Sequence, residues 1–123
     1  TEVLEQFKQV GIRTSVFVDA DPEMVEYAAK AGADRVELYT EPYATLYPKN
    51  PDAAIAPFVE AAKAARKYGL GLNAGHDLSL KNLQFFYQHI PWTDEVSIGH
   101  ALISDALYLG LEQTIKEYKK YLR

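Results

Sequence analysis

Arg13-Thr14-Ser15-Val16-Phe17-Val18, followed closely by Asp21-Pro22-Glu23, gives the clearest indication of the fold. The first run is rich in β-branched and aromatic residues, which predicts a β-strand. The second run has a helix-capping Asp, a Pro at the first helical position and an acid in the first turn, which predicts the start of a helix. We expect this helix to end at Gly32, because glycine readily adopts the left-handed conformation that closes a helix.

The same succession of strand and helix recurs three more times along the chain. Further strands are predicted at Arg35–Tyr39, Leu70–Ala74 and Glu95–Ile98, and further helices over residues 53–67, 80–89 and 101–122, the last of them broken near Gly110. Residues 1–10 predict one more helix, and the proline-bearing segment Thr40–Pro51 predicts a loop. Strands separated by helices in this way form βαβ units, so we expect an α/β fold with a parallel sheet.

Four parallel units can close in two ways, and the periodicity alone does not choose between them. One is an open, doubly wound sheet with helices on both faces. The other is half of a TIM (β/α)8 barrel, since a complete barrel takes about 250 residues. In either arrangement we expect residues 1–123 to form a single domain with its own hydrophobic core.

The composition excludes several classes of protein. The formal net charge is −4, and the Lys and Arg residues are spread along the chain, which argues against a nucleic-acid surface. The chain has no Cys, which excludes disulfides and fits a reducing compartment. No apolar run approaches the roughly 18 residues of a membrane span, and residues 1–10 do not resemble a signal peptide. We therefore expect a cytoplasmic protein that binds neither nucleic acid nor membranes.

Polar or glycine residues stand at the carboxyl end of each predicted strand. They are Asp19 and Asp21, then Glu37 and Thr40, then Asn73, Gly75 and His76, and finally Gly99 and His100. The carboxyl ends of parallel strands lie along one edge of a sheet, where α/β folds bind their ligands. We therefore expect a ligand site at this edge.

Two of these residues are candidates for proton transfer. His76 follows a glycine at a strand end, and a histidine can donate or accept a proton near neutral pH. The alternative is that its imidazole only hydrogen-bonds a neighbouring loop. Glu37 lies inside a strand, where a buried acid beside a ligand is a candidate proton carrier. For Glu37 the alternatives are an ion pair with Arg13 or Arg35, or an outward-facing position.

The last predicted strand is followed by Ile98-Gly99-His100-Ala101, which opens a helix. The unpaired N–H groups at a helix start favour an anion, and Gly99 allows one to approach the backbone closely. Barrels often bind phosphate at this point, beside a short extra helix, and the break near Gly110 would create such a helix. The alternative is a simple tight turn. No group of His or carboxylate residues has the spacing of metal ligands, so we predict no bound metal.

Taken together, four runs of the chain resemble the pyridoxine 5'-phosphate synthase family. They are Gly11-Ile12-Arg13-Thr14-Ser15-Val16-Phe17-Val18-Asp19, Glu37-Leu38-Tyr39-Thr40-Glu41-Pro42-Tyr43-Ala44, Leu72-Asn73-Ala74-Gly75-His76-Asp77-Leu78 and Ser97-Ile98-Gly99-His100-Ala101-Leu102-Ile103. They occur in the order and near the spacing of that family, and the resemblance covers essentially all 123 residues. It implies that this chain is the C-terminal half of a (β/α)8 barrel with extra helices.

The resemblance also implies an activity in vitamin B6 biosynthesis. The family condenses 1-deoxy-D-xylulose 5-phosphate with 3-amino-2-oxopropyl phosphate, which gives pyridoxine 5'-phosphate, inorganic phosphate and water. Its substrates are small phosphorylated molecules, it needs no cofactor, and it usually assembles as an octamer. The family's other catalytic His and Glu, and most contacts to the pentulose phosphate, lie in a half that this chain does not contain.

Residue roles follow from the same resemblance. His76 matches the proton donor, and Glu37 matches an acid that lines the same cavity. Asp77, Gly99 and His100 match contacts to 3-amino-2-oxopropyl phosphate. Asp77 stands where the family often has Gly, and a carboxylate beside a phosphate is unfavourable unless it turns away.

These observations lead to two hypotheses of different class. In the first, the chain is half of a ring-closing synthase and is active only with the missing half. In the second, it is a truncated or engineered half-barrel that binds phosphate but catalyses nothing alone. A different phosphate-binding barrel, such as an isomerase or aldolase, fits the motifs less well. A half-barrel exposes two sheet edges, so we expect the chain to associate with itself or with the missing half.

Overall fold

The computed structural model describes all residues 1–123 and contains four strands and seven helices. In chain order they are α1 Glu2–Gln9, β1 Ser15–Val18, α2 Pro22–Ala31, β2 Arg35–Tyr39, α3 Glu41–Leu46, α4 Pro51–Lys67, β3 Gly71–His76, α5 Leu83–His89, β4 Glu95–Ile98, α6 His100–Leu109 and α7 Leu111–Lys120. The strands form one parallel sheet in the order β1-β2-β3-β4. The predicted α/β fold with four strand–helix repeats is therefore confirmed.

Local sequence signals explain the elements that were predicted closely. The Asp21 side chain accepts a hydrogen bond from the Glu23 N–H at 2.8 Å, and α2 starts at Pro22. The helix ends at Gly32, whose φ of 89° is the left-handed conformation expected of a glycine cap. The break near Gly110 is also confirmed, because α6 and α7 meet there.

The main differences from the sequence prediction are at α3, α5 and β3. The segment from Thr40 to Pro51 is not a loop throughout, since it contains α3, where Pro42 lies in the first turn and its missing N–H removes no helical bond. Helix α5 begins at Leu83 rather than at residue 80. Asn82 stands at the N-cap position of α5. Strand β3 continues to His76, beyond the predicted end at Ala74.

The two faces of the sheet have different environments. On one face, apolar side chains of the central strands pack in the main hydrophobic core, and Val36, Leu38, Leu72 and Ala74 are at most 1% exposed. Residues from α2, α4 and α5 belong to the same core. On the other face Phe17 is 56% exposed. Helices covering one face only are the arrangement of a barrel wall, whereas a doubly wound sheet has helices on both faces.

A contact between the two edge strands supports this assignment. The guanidinium of Arg13, just before β1, forms an ion pair of 2.9 Å with the carboxylate of Glu95, at the start of β4. The edge strands of a flat four-stranded sheet lie about 14 Å apart, and this ion pair joins them across the sheet, as is expected where a sheet curls toward a barrel. The fold is thus consistent with half of a TIM barrel.

The helices are all too short or too polar to span a membrane.

Candidate active site

An open cleft of about 530 Å³ lies at the carboxyl ends of the strands. It is lined by Phe17, Glu37, His76, Ser97, Ile98, Gly99 and His100. Four of the residues singled out in the sequence, namely Glu37, His76, Gly99 and His100, therefore share one cavity. They come from three separate segments of the chain, and the parallel sheet brings them together.

His76 is the last residue of β3 and has an unusual backbone. Its φ is 83°, and it is the only non-glycine residue of the chain with a positive φ. Its side chain is 57% exposed, and its ring centroid lies 5.7 Å from that of His100. The Nδ1 atom is 2.9 Å from a carboxylate oxygen of Asp77. The ring is thus accessible from the cleft and held at one nitrogen.

Glu37 lies on the uncovered face of β2 and is half-buried. The Ser97 hydroxyl donates a hydrogen bond of 3.3 Å to its Oε2 atom. The carboxylate extends over Gly75, where a Cβ atom would collide with it and would lie 2.9 Å from both the Cβ and the carbonyl oxygen of Ser97. Gly75 therefore provides the space that Glu37 occupies.

The alternative positions considered for Glu37 are not the ones observed. Arg13 and Arg35 pair with Glu95 instead, and Glu37 faces the cleft rather than the helix layer. The half-buried carboxylate and the imidazole of His76 consequently line the same cavity.

The start of α6 forms another wall of the cleft. Gly99 is the N-cap residue, and no side chain caps the helix. A Cβ atom built on Gly99 would meet no atom within 4 Å, so the space in front of this backbone is open. His100 is the first residue of the helix and contributes its imidazole to the cleft. Free N–H groups at such a position attract anions.

Asp77 is engaged by its own surroundings. Its N–H donates to the Thr40 hydroxyl at 3.1 Å, and its carbonyl accepts from the Asn82 amide at 3.3 Å. Its carboxylate is turned toward His76. Contact between Asp77 and a phosphorylated substrate stays a prediction.

Other polar residues grouped with the site lie elsewhere. Asn73 is in the middle of β3, 5% exposed, and its amide binds Arg35 and Glu95 at 3.0 and 3.2 Å. Its assignment to the strand end was wrong, because β3 is longer than predicted. Asp21 caps α2, and Thr40 is fully buried beneath the site.

Sequence reasoning overlooked two cleft residues, Phe17 and Ser97. In the structure β1 and β4 alternate between exposed and half-buried positions, and these two are the exposed ones nearest the strand ends. An alternation of period two assigns such residues to the same face as Glu37. No three metal-ligating side chains lie close enough together to hold a metal ion.

The cleft combines groups suited to proton transfer with groups suited to anion binding. One carboxylate and two imidazoles can hold or move protons, and the uncapped helix start can hold a phosphate. Such a combination fits chemistry on a phosphorylated substrate.

Comparison with known proteins identifies the family. The family described as "Pyridoxal phosphate biosynthesis protein PdxJ" matches residues 1–123. Relatives named pyridoxine 5'-phosphate synthase include those of Bacteroides thetaiotaomicron, 82% identical, and Phocaeicola vulgatus, 74% identical, each aligned over all 123 residues. The relative from Cytophaga hutchinsonii is 63% identical over the same length. The chain spans about half the length of these relatives, 52% in each case. It belongs to the PdxJ family of pyridoxal phosphate biosynthesis proteins.

Proposed function

We propose that this chain forms part of the active site of a pyridoxine 5'-phosphate synthase, the name that its relatives carry. The reaction would join 1-deoxy-D-xylulose 5-phosphate to 3-amino-2-oxopropyl phosphate, close the pyridine ring, and release inorganic phosphate and water. The observation that carries the proposal is the convergence of Glu37, His76 and the start of α6 on one cleft.

In this proposal His76 is the proton donor. Its ring is accessible from the cleft, and Nδ1 is occupied by Asp77, so Nε2 is the atom that faces a substrate. Glu37 would hold or move a second proton on the same side of the ring being formed. Its fixed position over Gly75 supports this role, because proton transfer requires the donor and acceptor within hydrogen-bonding reach.

The phosphate of 3-amino-2-oxopropyl phosphate would bind at Gly99 and His100. The N–H groups of the first turn of α6 and the imidazole of His100 offer donors to it, and the open space at Gly99 admits it. Gly99→Ala should therefore raise KM for this substrate while leaving thermal stability nearly unchanged, since the added methyl group meets no protein atom. Steady-state kinetics and thermal unfolding of the variant would test this. Unchanged affinity would contradict the phosphate assignment.

The chain by itself contains an incomplete site under this proposal. It spans 52% of the length of its relatives. Its sheet leaves Phe17 56% exposed on the face that would be the barrel interior. Activity is therefore expected only when the remaining part is present. The alternative is that the chain alone binds phosphate at α6 and catalyses nothing.

We also propose that the isolated chain associates. Strands β1 and β4 are sheet edges, and several large apolar side chains are exposed, among them Leu107 and Tyr108 on α6 at 82% and 88%. Exposed edges and apolar patches favour pairing with another chain. The partner is a second copy, as in a homo-oligomer or the family's octamer, or the missing half. A monodisperse monomer in light scattering would contradict this expectation.

The decisive experiment uses what we call the completed enzyme: this chain joined to the part of the Bacteroides thetaiotaomicron relative that it does not span. The completed enzyme should form pyridoxine 5'-phosphate from the two substrates, and the chain alone should not. A folded completed enzyme without activity would contradict the proposed function. Phosphate binding by the chain alone, measured by calorimetry, without any turnover in the completed enzyme would support the alternative.

We also propose that the protein is cytoplasmic, which cell fractionation would test.

A further inference from the structure

The backbone of His76 has a positive φ, which its place at a strand end does not explain. A positive φ of 83° is unfavourable for a residue with a Cβ atom, because the Cβ atom crowds the following carbonyl oxygen. Such conformations persist only where the surroundings hold them, and they concentrate at functional sites. The residues that hold His76 can be identified from their hydrogen bonds.

Thr40 holds the backbone on both sides of His76. It is 0% exposed and directly follows β2, which is paired with β3 up to the Tyr39–Gly75 register position. Its hydroxyl donates to the carbonyl of Gly75 and accepts from the N–H of Asp77 at 3.1 Å. One side chain thus bonds the residue before His76 and the residue after it, and bridges the point where the ladder of backbone bonds ends.

Asp77 holds the imidazole itself. Its Oδ2 atom lies 2.9 Å from Nδ1 of His76. An ionised carboxylate only accepts hydrogen bonds, so this contact places a proton on Nδ1 and leaves Nε2 toward the cleft. Asp77 is fixed in turn by Asn82, whose amide donates to the Asp77 carbonyl. Asn82 is 5% exposed, and its own carbonyl accepts from the Tyr43 hydroxyl at 2.7 Å.

From these contacts we infer that Thr40 and Asp77 are positioning residues for proton transfer at His76. Thr40 fixes the backbone in its left-handed conformation, and the Asp77 carboxylate selects the orientation and tautomer of the ring. In the transfer, the bond between Nε2 and its proton breaks, the proton goes to the substrate, and neutral imidazole keeps its Nδ1 proton toward Asp77. The inference rests on the proposed function only for the identity of the proton acceptor. The orientation and tautomer of the His76 ring do not depend on that function.

The role of Thr40 is testable by removing and restoring its hydroxyl in the completed enzyme. Thr40→Val should lower kcat on the order of a hundredfold with a much smaller change in KM, because a displaced reacting group loses rate rather than binding. Thr40→Ser keeps the hydroxyl and should retain most of the rate. Unchanged kcat in Thr40→Val would overturn this part of the inference.

Thr14 offers a matched control at the opposite end of the sheet. It is also buried, and its hydroxyl donates to the Asp34 carboxylate at 2.9 Å and accepts from the Asp34 N–H at 3.3 Å. Thr14→Val therefore removes the same two kinds of bond far from His76. It should cost stability but leave kcat unchanged. An equal loss of kcat in Thr14→Val and Thr40→Val would show that Thr40 acts only through stability.

The role of Asp77 is read from the ring of His76. With ¹⁵N-labelled histidine, NMR at a pH where the rings are neutral should show His76 protonated at Nδ1. In Asp77→Ala this preference should be lost, and kcat should fall by about tenfold or more. His89 is an internal control, because its Nδ1 bonds the Phe85 carbonyl at 2.8 Å and should stay protonated in both proteins.

The outcomes separate this inference from the proposed function. An unchanged His76 tautomer in Asp77→Ala would overturn the positioning role of Asp77, whether or not the enzyme turns over substrate. The NMR measurement needs a folded protein but no activity. If the unsubstituted completed enzyme is folded but inactive, the proposed function is wrong. If the His76 tautomer nevertheless shifts in Asp77→Ala, the positioning role of Asp77 is still supported. Should Thr40→Val not fold, Asp77→Ala still decides the question, since normal kcat in Asp77→Ala contradicts the inference.

Discussion

At the amino end of the sheet, Arg13 and Arg35 are paired with Glu95, whereas at the carboxyl end Glu37 and His76 face an open cleft. Both ends are built on the same four strands and carry charged side chains. At the amino end the charges neutralise one another. At the carboxyl end the Ser97 hydroxyl holds the Glu37 carboxylate and Asp77 holds the His76 ring at Nδ1, while the rest of each group faces the open cleft and is available to a ligand.

The glycines of β3 repeat this contrast within one strand. Gly71 provides space for the Arg35 side chain, whose Cγ atom lies 2.7 Å from where a Cβ would be, and Gly75 provides space for the Glu37 carboxylate. The absence of a Cβ atom thus makes room for an ion-paired arginine at one end of β3 and for a carboxylate in the cleft at the other. A glycine on the inner face of a strand can therefore support either stability or a site, depending on which side chain it admits.

The largest expected effect is at His76. His76→Ala in the completed enzyme should lower kcat by roughly 10²–10⁴-fold, as for loss of a general acid. His76→Gly should be equally inactive. It should also be more stable than His76→Ala by about 1–2 kcal/mol, because only glycine accepts the positive φ without strain. Steady-state kinetics and thermal unfolding of the two variants would measure this.

This order of stability reverses the usual one, since glycine in a strand is normally less stable than alanine by roughly 0.5–1 kcal/mol. A His76→Ala variant at least as stable as His76→Gly would show that the left-handed backbone stores no strain. Normal turnover in either variant would remove His76 from the chemistry.

The next largest effect is expected at the two glycines of β3, Gly71 and Gly75. Gly75→Ala should displace the Glu37 carboxylate and lower kcat on the order of a hundredfold. It should also destabilise the fold by about 1–3 kcal/mol, because the methyl group meets the Ser97 backbone at 2.9 Å. Gly71→Ala should destabilise the fold while leaving kcat close to normal, because it displaces only Arg35. Equal losses of kcat in both variants would contradict the division between the two ends.

The smallest expected effect concerns acid stability at the amino end. The backbone N–H and then the hydroxyl of Thr14 donate to the Asp34 carboxylate and hold its pKa below the ordinary value. A lowered pKa in the folded state stabilises the protein above the unfolded pKa of about 3.9 and is lost as the pH falls through the lower folded value. Asp34→Asn should therefore be less stable than the unsubstituted protein at pH 7, and the difference should shrink below about pH 4.

Thermal unfolding of the completed enzyme at several pH values would measure this difference. Thr14→Val, which removes one of the two donors, should show the same trend to a smaller extent. A difference independent of pH would mean that the Asp34 charge contributes nothing to stability. Neither variant should change kcat, since both residues lie at the amino end.

Much of the fold could be predicted from short stretches of sequence. Asp21 and Gly32 mark the ends of α2 by their capping chemistry, and β4 was predicted with its observed bounds. These signals are local, because a cap or a strand pattern depends on neighbouring residues. The prediction failed at α3, where prolines suggested a loop although Pro42 suits the first turn of a helix.

The candidate site was predicted less completely. His76, Gly99 and His100 stand at a strand end or a helix start, and Glu37 reaches the same cleft from the middle of β2. A parallel sheet was enough to bring them together. Asn73 was misplaced because one additional pair of residues in β3 moves it from the strand end to the interior. Phe17 and Ser97 were missed, because their membership of the site depends on which face of the sheet is uncovered.

The order of strands and helices, most residues at the carboxyl edge and, through the resemblance, the family could be predicted from the sequence alone. Which face the helices cover, which charges pair between the edge strands, and which side chains hold His76 became clear only in the folded chain. Capping and periodicity act over a few residues. The bonds of Thr40 to Gly75 and of Arg13 to Glu95 instead join residues 35 and 82 positions apart, and they exist only once the strands are in register.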